Sequence, residues 1–278
     1  MTAQSYETFL TWLYAPGDRP EVVVKALDSG ADVVLIDLED AVAPDRKTYA
    51  LDATAELLAE KHPVPVHVRV NALDPPRAES EVRRLTPLPG LGALRLPKVH
   101  GPADLDRVSD WSVEVPPLYA LLESALGVEH AYEIARHPGV RGIALGEADL
   151  RAELGVTNGE GLAWPRGRAI VAARAAALPP PPQSVYPDVR DTVGLARSCS
   201  HGRALGFFGR MAIHPRQLPV IEAAFLPTAA EVDAATEVVG AAATEAGALA
   251  LPDGRFVDAA IVSDARRVLA LASRRRGG

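Results

Sequence analysis

Short apolar runs recur along the chain, and between them apolar residues return every three or four positions. The runs predict strands at Leu10–Tyr14, Val33–Leu38, Val66–Val70, Ala93–Pro97, Leu118–Glu123, Gly142–Leu145, Gln183–Tyr186 and Arg210–Ile213. The three-and-four spacing predicts helices between most of them, as at Val22–Leu27, Ala53–Leu58, Val128–Ala135, Ala169–Ala177 and Thr192–Ala196. Strands alternating with helices indicate a parallel sheet with crossover helices. Eight such units fit a closed α/β architecture, the (β/α)8 TIM barrel, which needs about 250 residues. An open doubly wound sheet would normally show a glycine-rich phosphate turn after its first strand. Here that turn is Ala15-Pro-Gly-Asp-Arg-Pro20, which is not G-x-G-x-x-G.

Chain is left over after the eighth run. Thr228–Gly247 is alanine-rich and helical, Pro252-Asp-Gly254 reads as a turn, and Asp258–Ser273 reads as a second helix. The expected organisation is a catalytic barrel over residues 1–227 and a C-terminal helical extension over 228–278. The extension is expected to pack on the barrel or on a neighbouring subunit. Pro179–Pro182 reads as a stiff spacer before the seventh strand, and Arg274–Arg276 as a solvated basic tail.

Composition narrows the class. Among 278 residues, 48% are hydrophobic and 23% charged, which excludes a disordered chain. No apolar run reaches the roughly 20 residues that span a bilayer, so no membrane segment is expected. Met1–Glu7 is polar and carries no signal peptide. The single cysteine, Cys199, makes neither an internal disulfide nor a cysteine zinc site. A reduced, cytoplasmic setting is the expectation. With 36 acidic and 29 basic residues the formal charge is −7, which argues against a broad nucleic-acid surface. A local basic pocket for a phosphorylated ligand stays compatible with that charge.

In barrels of this type the catalytic groups sit at the carboxyl ends of the strands. Those ends carry Asp37-Leu-Glu-Asp40, Arg69-Val-Asn71, Pro97-Lys98, Glu123-Ser124, Gly146-Glu-Ala-Asp149, Tyr186-Pro-Asp188 and His214-Pro215. Glu123 and Asp149 end adjacent strands and could hold one hard divalent cation, since magnesium takes one or two carboxylates and fills its octahedron with water and substrate. The competing reading makes Glu123 a helix cap and pairs Asp149 with Arg151 or Arg168. Arg69 reads either as a clamp for a substrate carboxylate or as the salt-bridge partner of Asp37 or Glu39. Three charged carboxylates at Asp37, Glu39 and Asp40 are costly together, so at least one is expected to pair with Arg69 or Arg46. Lys98 reads as an electrostatic partner rather than a Schiff-base nucleophile, because a metal one strand away makes the latter redundant.

Seven of these segments, taken in order, carry a family resemblance. They are Leu35-Ile-Asp-Leu-Glu-Asp-Ala-Val42 with Lys47 following, Val68-Arg-Val-Asn71, Leu96-Pro-Lys98, Leu122-Glu-Ser-Ala125, Gly146-x-x-Asp-Leu150, Ile213-His-Pro215 and Asp253-Gly-x-x-Val-Asp258. From about Trp12 to about Leu271 the chain resembles the citrate lyase beta subunit-like proteins of the HpcH/HpaI aldolase superfamily. The resemblance implies a (β/α)8 barrel in a homotrimer or hexamer, with Mg2+ on Glu123 and Asp149. It implies a lyase acting on citryl-, malyl- or citramalyl-coenzyme A, with an acyl-CoA thioester and a keto acid (oxaloacetate, glyoxylate or pyruvate) as partners. Arg69, with Asn71 and Lys98, would bind the substrate. Asp258 would handle a proton in a neighbouring subunit's site, alongside Asp37 and Glu39 at the rim. Arg19, Arg46 and Lys47, near strand-end loops, could meet the coenzyme A phosphates. Two positions depart from the family pattern: Leu126 stands where arginine is usual, and Ala148 where glutamate is usual. The alternatives are a metal-dependent aldolase acting on pyruvate and an aldehyde without a thioester, a carrier-dependent citrate lyase subunit, and a degenerate barrel that binds without turnover.

Overall fold

The structure is a computed structural model that describes residues 9–244, 249–250 and 254–274. The chain divides into two compact units, Met1–Glu222 and Ala223–Gly278.

The first unit begins with β1 (Thr11–Pro16), α1 (Pro20–Leu27), β2 (Val33–Asp37), α2 (Lys47–Leu57), β3 (Val66–Arg69), α3 (Arg77–Leu85) and β4 (Leu91–Leu96). It continues through α4 (Pro102–Asp110), β5 (Leu118–Leu122), α5 (Ala125–Glu129), α6 (Ala131–Ala135), β6 (Val140–Leu145), α7 (Glu147–Leu154) and α8 (Ala163–Ala175). It closes with α9 (Thr192–Leu205) and β7 (Arg210–Ala212), before α10 (Leu218–Phe225). The strands are parallel, in the order β6-β5-β4-β3-β2-β1-β7. This is the α/β barrel the pattern predicts. Both faces of the sheet are covered, so β2 reads as an unbroken buried run, Val33 to Asp37. The helices cover its outer side with buried small and branched residues such as Ala26, Ala50, Val82, Leu105, Ile134 and Ala172. Each fully buried Val, Leu or Ile contributes about 1.5–3 kcal/mol.

One predicted strand is not formed. Gln183–Tyr186 makes an isolated parallel bridge between Gln183 and Arg210 of β7 and no ladder. Gln183 N–H donates to Gly209 O at 2.9 Å, and Met211 N–H donates to Gln183 O at 3.0 Å. On the β6 side the tie is a side chain, Ser184 Oγ donating to Leu145 O at 2.5 Å. The reason is the flanking sequence: Pro179–Pro182 and Pro187 have no N–H to donate, so four residues are too few to extend a ladder. Helices such as α3, α4 and α7 lie between the predicted strands as the alternation implies, and Val128–Ala135 is two short helices, α5 and α6, broken at His130.

The second unit contains α11 (Ala229–Thr244), a two-residue antiparallel pair β8 (Leu249–Ala250) and β9 (Phe256–Val257), and α12 (Ala259–Arg274). Ala235, Val238, Val257 and Ala265 form its core. Met1–Glu7, Pro252 and Asp253 of the expected turn, and Arg275 and Arg276 lie outside the described residues.

Candidate active site

The period-two alternation of β2 and β3 puts Asp37 opposite Arg69. The pair is bidentate: Arg69 Nε donates to Asp37 Oδ1 at 2.8 Å and Nη2 to Oδ2 at 2.6 Å. Both residues are buried or nearly so, and Arg69 Nη1 lies 3.1 Å from Glu39 Oε2 and 3.4 Å from Asp40 Oδ2. Burial opposes the Arg69 charge, but the hydrogen bonds to Asp37 and the carboxylates of Asp37 and Glu39 outweigh it and raise its pKa. Asp37 also accepts the Glu39 N–H at 2.9 Å and the Ala41 N–H at 3.1 Å. It therefore folds the acidic segment back over the end of β2.

Glu39 bridges two cations. Its Oε1 accepts from Lys98 Nζ at 2.8 Å, on the side opposite Arg69. Burial pushes its carboxyl above the usual range, with Arg69 and then Lys98 pulling the other way. Lys98 has φ = 52°, a left-handed conformation rarely taken by a lysine. That turn aims the Lys98 N–H at Glu123 Oε2, 2.9 Å away. Strain of this kind concentrates at functional sites.

Glu123 directly follows β5 and is 6% exposed. Burial raises its pKa to about 7, and the nearby Glu39 and Asp149 carboxylates add to the rise against the Lys98 N–H and Arg69. Asp149, exposed, sits in the first turn of α7 directly after β6. Glu123 caps no helix; Ser124 caps α5, accepting from Gly127 N–H at 3.1 Å. The two carboxylates expected to hold a metal thus reach one end of the barrel from adjacent strands. Among the described residues no group of three or more His, Cys, Asp or Glu side chains converges as a metal shell.

Gly146 is part of this arrangement. A Cβ there would stand 2.1 Å from Glu123 Oε1 and 2.4 Å from its Cγ. Gly146→Ala is expected to displace the Glu123 carboxylate and lower divalent-metal affinity at least about tenfold. Isothermal titration with magnesium would read this, and an unchanged affinity would count against a metal-ligand role for Glu123.

A cleft of about 450 Å3 opens beside the acidic segment, lined by Glu39, Asp40, Lys47, Asn71, Arg77 and Lys98 among others. The Lys47 ammonium is turned inward, donating to Leu38 O (2.8 Å), Glu39 O (2.5 Å) and Asn71 Oδ1 (2.6 Å). Asn71 is held in turn by Glu81 of α3, which accepts from its N–H at 2.8 Å and its Nδ2 at 2.5 Å. Asn71 and Lys47 are therefore occupied in fixing the backbone of the acidic segment. Arg19 precedes α1, and Arg46 precedes α2 with its Nη2 donating to Asp18 O at 3.3 Å. In the second unit Asp258 caps α12, accepting from the N–H groups of Ala260 and Ile261, both at 2.9 Å.

Two site residues escape the sequence reading. Glu81 lies on the face that Ala78, Val82 and Leu85 bury, and an acid on an apolar stripe was its signal. Tyr14 of β1 packs its ring 5.2 Å from the Arg69 guanidinium carbon. Burial first, and the Asp37 and Glu123 carboxylates after it, raise the Tyr14 pKa against Arg69 and Arg95. Nothing in the strand pattern distinguished Tyr14 from a core aromatic.

A parallel barrel that gathers buried carboxylates and cations at the carboxyl ends of its strands has the architecture of a barrel enzyme. The chain belongs to the HpcH/HpaI aldolase/citrate lyase family, whose model matches residues 10–215. It is 35% identical to a (3S)-malyl-CoA thioesterase of Cereibacter sphaeroides, over 97% of this chain and 96% of that protein. It is 30% identical to the citrate lyase subunit beta of Leuconostoc mesenteroides, over 95% and 93% of the two chains. Among solved structures it resembles CitE from Mycobacterium tuberculosis in complex with magnesium, acetoacetate and coenzyme A. The TM-score is 0.83 at 29% identity, covering 96% of this chain and 99% of that one. No helix among the described residues is long and apolar enough to cross a membrane.

Proposed function

We propose that the protein is a magnesium-dependent carbon–carbon lyase that cleaves a 3-hydroxyacyl-coenzyme A thioester into an acyl thioester and a keto acid. The observation that carries this reading is the buried Glu123 carboxylate, placed near Asp149 and Glu39 beside two cations. Magnesium suits these donors: both Glu123 and Asp149 offer hard oxygens, and the crowding of negative charge around Glu123 is what a divalent cation relieves. The magnesium-containing CitE neighbour supports the choice. When bound, the metal would supply Lewis acidity to the substrate hydroxyl oxygen as it loses its proton.

The chain's own groups do the rest. Glu39, its pKa raised by burial, accepts the proton of the substrate hydroxyl. Arg69 is fixed by Asp37 on one edge, and its Nη1, which faces Glu39 and Asp40 here, would exchange them for the keto-acid carboxylate and orient the departing fragment. Lys98 balances the charge of Glu39. Arg19 and Arg46 meet the coenzyme A phosphates, while Lys47 holds the acidic segment in place. In a homotrimer or hexamer, Asp258 of one copy delivers a proton in the site of another.

A second reading is hydrolysis of the same thioester, favoured by the identity to the malyl-CoA thioesterase. The deciding assay offers citryl-, malyl- and citramalyl-coenzyme A with magnesium and with chelator. Chelator-sensitive release of acetyl-coenzyme A and a keto acid is the expected result. Free coenzyme A with an intact hydroxy acid would make the protein a hydrolase, and no turnover would overturn both.

The raised Glu123 pKa has a defined pH signature. Protons compete with magnesium for a carboxylate whose pKa is about 7, so magnesium affinity should fall about tenfold per pH unit below that value. Without metal the sign is opposite for stability. The folded state holds the Glu123 proton above the ordinary 4.5, so metal-free stability should decline as pH rises from about 4.5 to about 7. Titration at pH 5.5 and pH 8 checks the first, and thermal melts with chelator check the second.

A further inference from the structure

The barrel interior carries a cation that no described residue neutralises. Arg95 of β4 is 1% exposed, and none of its Nε, Nη1 and Nη2 has a hydrogen-bond partner. Two rings lie against it, with the guanidinium carbon 5.0 Å from the Tyr119 ring centroid and 5.8 Å from that of Trp12. Its three nitrogens are buried without an acceptor. The charged groups that act on it are Arg69 and the phenols of Tyr14 and Tyr119, with no carboxylate among them. A guanidinium stays protonated inside a protein, and a buried charge without acceptors is costly. Aromatic faces attract the cation but accept little from its in-plane N–H groups.

Two further polar groups of this layer lack partners. The Nε1 of Trp12 on β1 and the Nδ1 of His67 on β3 are buried with no hydrogen bond. The His67 ring lies 4.8 Å from the Tyr119 ring, and burial, aided by Arg95, keeps His67 neutral. Register places Arg95 between Arg69 of β3 and Tyr119 of β5, all on neighbouring strands. The remaining partners of Trp12 are apolar, Val33, Leu35, Leu121, Ala144 and Met211 among them. The N–H groups of Arg95 and Trp12 are donors without acceptors in a layer with one full positive charge, and an anion of charge −1 would satisfy both.

We propose that this layer of the barrel interior binds a small monovalent anion of the halide class, held by the N–H edge of Arg95 with the Trp12 indole N–H as second donor. The rings of Trp12 and Tyr119 lie against the guanidinium and restrict its movement. One cation matches one negative charge, which disfavours phosphate or sulfate. Arg69, the register neighbour of Arg95, is committed to Asp37, and the proposal does not depend on the lyase reading.

The test uses the full-length protein with bromide as the probe. Crystals grown in bromide are expected to show an anomalous peak within hydrogen-bonding distance of the Arg95 guanidinium. In solution at constant ionic strength, replacing gluconate with bromide should raise Tm by about 3 °C and saturate. Arg95→Met, of similar length and uncharged, should lose both the peak and the shift. Should that variant not fold, the map and titration of the unmodified protein decide alone. Ordered water alone at Arg95 would overturn the proposal. So would a peak without a saturable Tm shift, which marks an adventitious ion only.

Discussion

Glu123→Gln is expected to lower magnesium-dependent turnover about 10^3-fold while the fold persists. Glutamine keeps an oxygen for the Lys98 N–H, the single hydrogen bond described for this side chain, so the left-handed turn at Lys98 has no reason to collapse. What it removes is the negative charge, and with it a ligand. Removing a carboxylate from a site where burial and two like charges oppose it should also stabilise the metal-free protein at pH 8. Loss of turnover with a higher Tm in chelator is a combination that a merely structural role does not produce. Steady-state kinetics beside thermal melts would read both, and full activity in this variant would end the metal assignment.

Arg69→Met should cost about 3–5 kcal/mol of stability, because it leaves the 2% exposed Asp37 carboxylate charged and without its bidentate partner. In a unit of this size that is a fall in Tm of roughly 6–20 °C. Asp37 would keep only its two backbone N–H donors, from Glu39 and Ala41. Adding Asp37→Asn to the methionine variant should recover part of the loss, and the double-mutant cycle measures the coupling directly. A single-variant loss under 1 kcal/mol would mean that the Asp37–Arg69 pair contributes little to the stability of the fold.

Much of this architecture was readable because its causes are local. Apolar runs such as Val33–Asp37 are strands buried on both faces, and their period sets which residues reach the rim. A salt bridge from Arg69 to Asp37 or Glu39 was one of two readings the strand ends offered, and the register sets Asp37 beside Arg69. The inward turn of Lys47 was not readable, since a lysine near a strand-end loop looks the same whether it faces solvent or three internal oxygens. Glu81 and Arg95 were hidden for a related reason. Each is a charged residue at a position where the pattern calls for an apolar one, and its meaning depends on partners distant in sequence. Leu126, half exposed in α5, lies where the family pattern has arginine, and nothing in the structure explains that change.

The incomplete pairing at Gln183–Tyr186 gives the barrel a seam. One side is joined by a single backbone bridge, the other by the hydroxyl of Ser184. Amide groups there should trade hydrogen for deuterium sooner than those of β2 or β3, which are flanked on both sides by strands. Breathing of the barrel would then start beside β6, the strand that leads into Gly146 and Asp149. Occupancy of the neighbouring carboxylates by a metal should slow that exchange, so the seam would act as a built-in reporter of whether the site is filled.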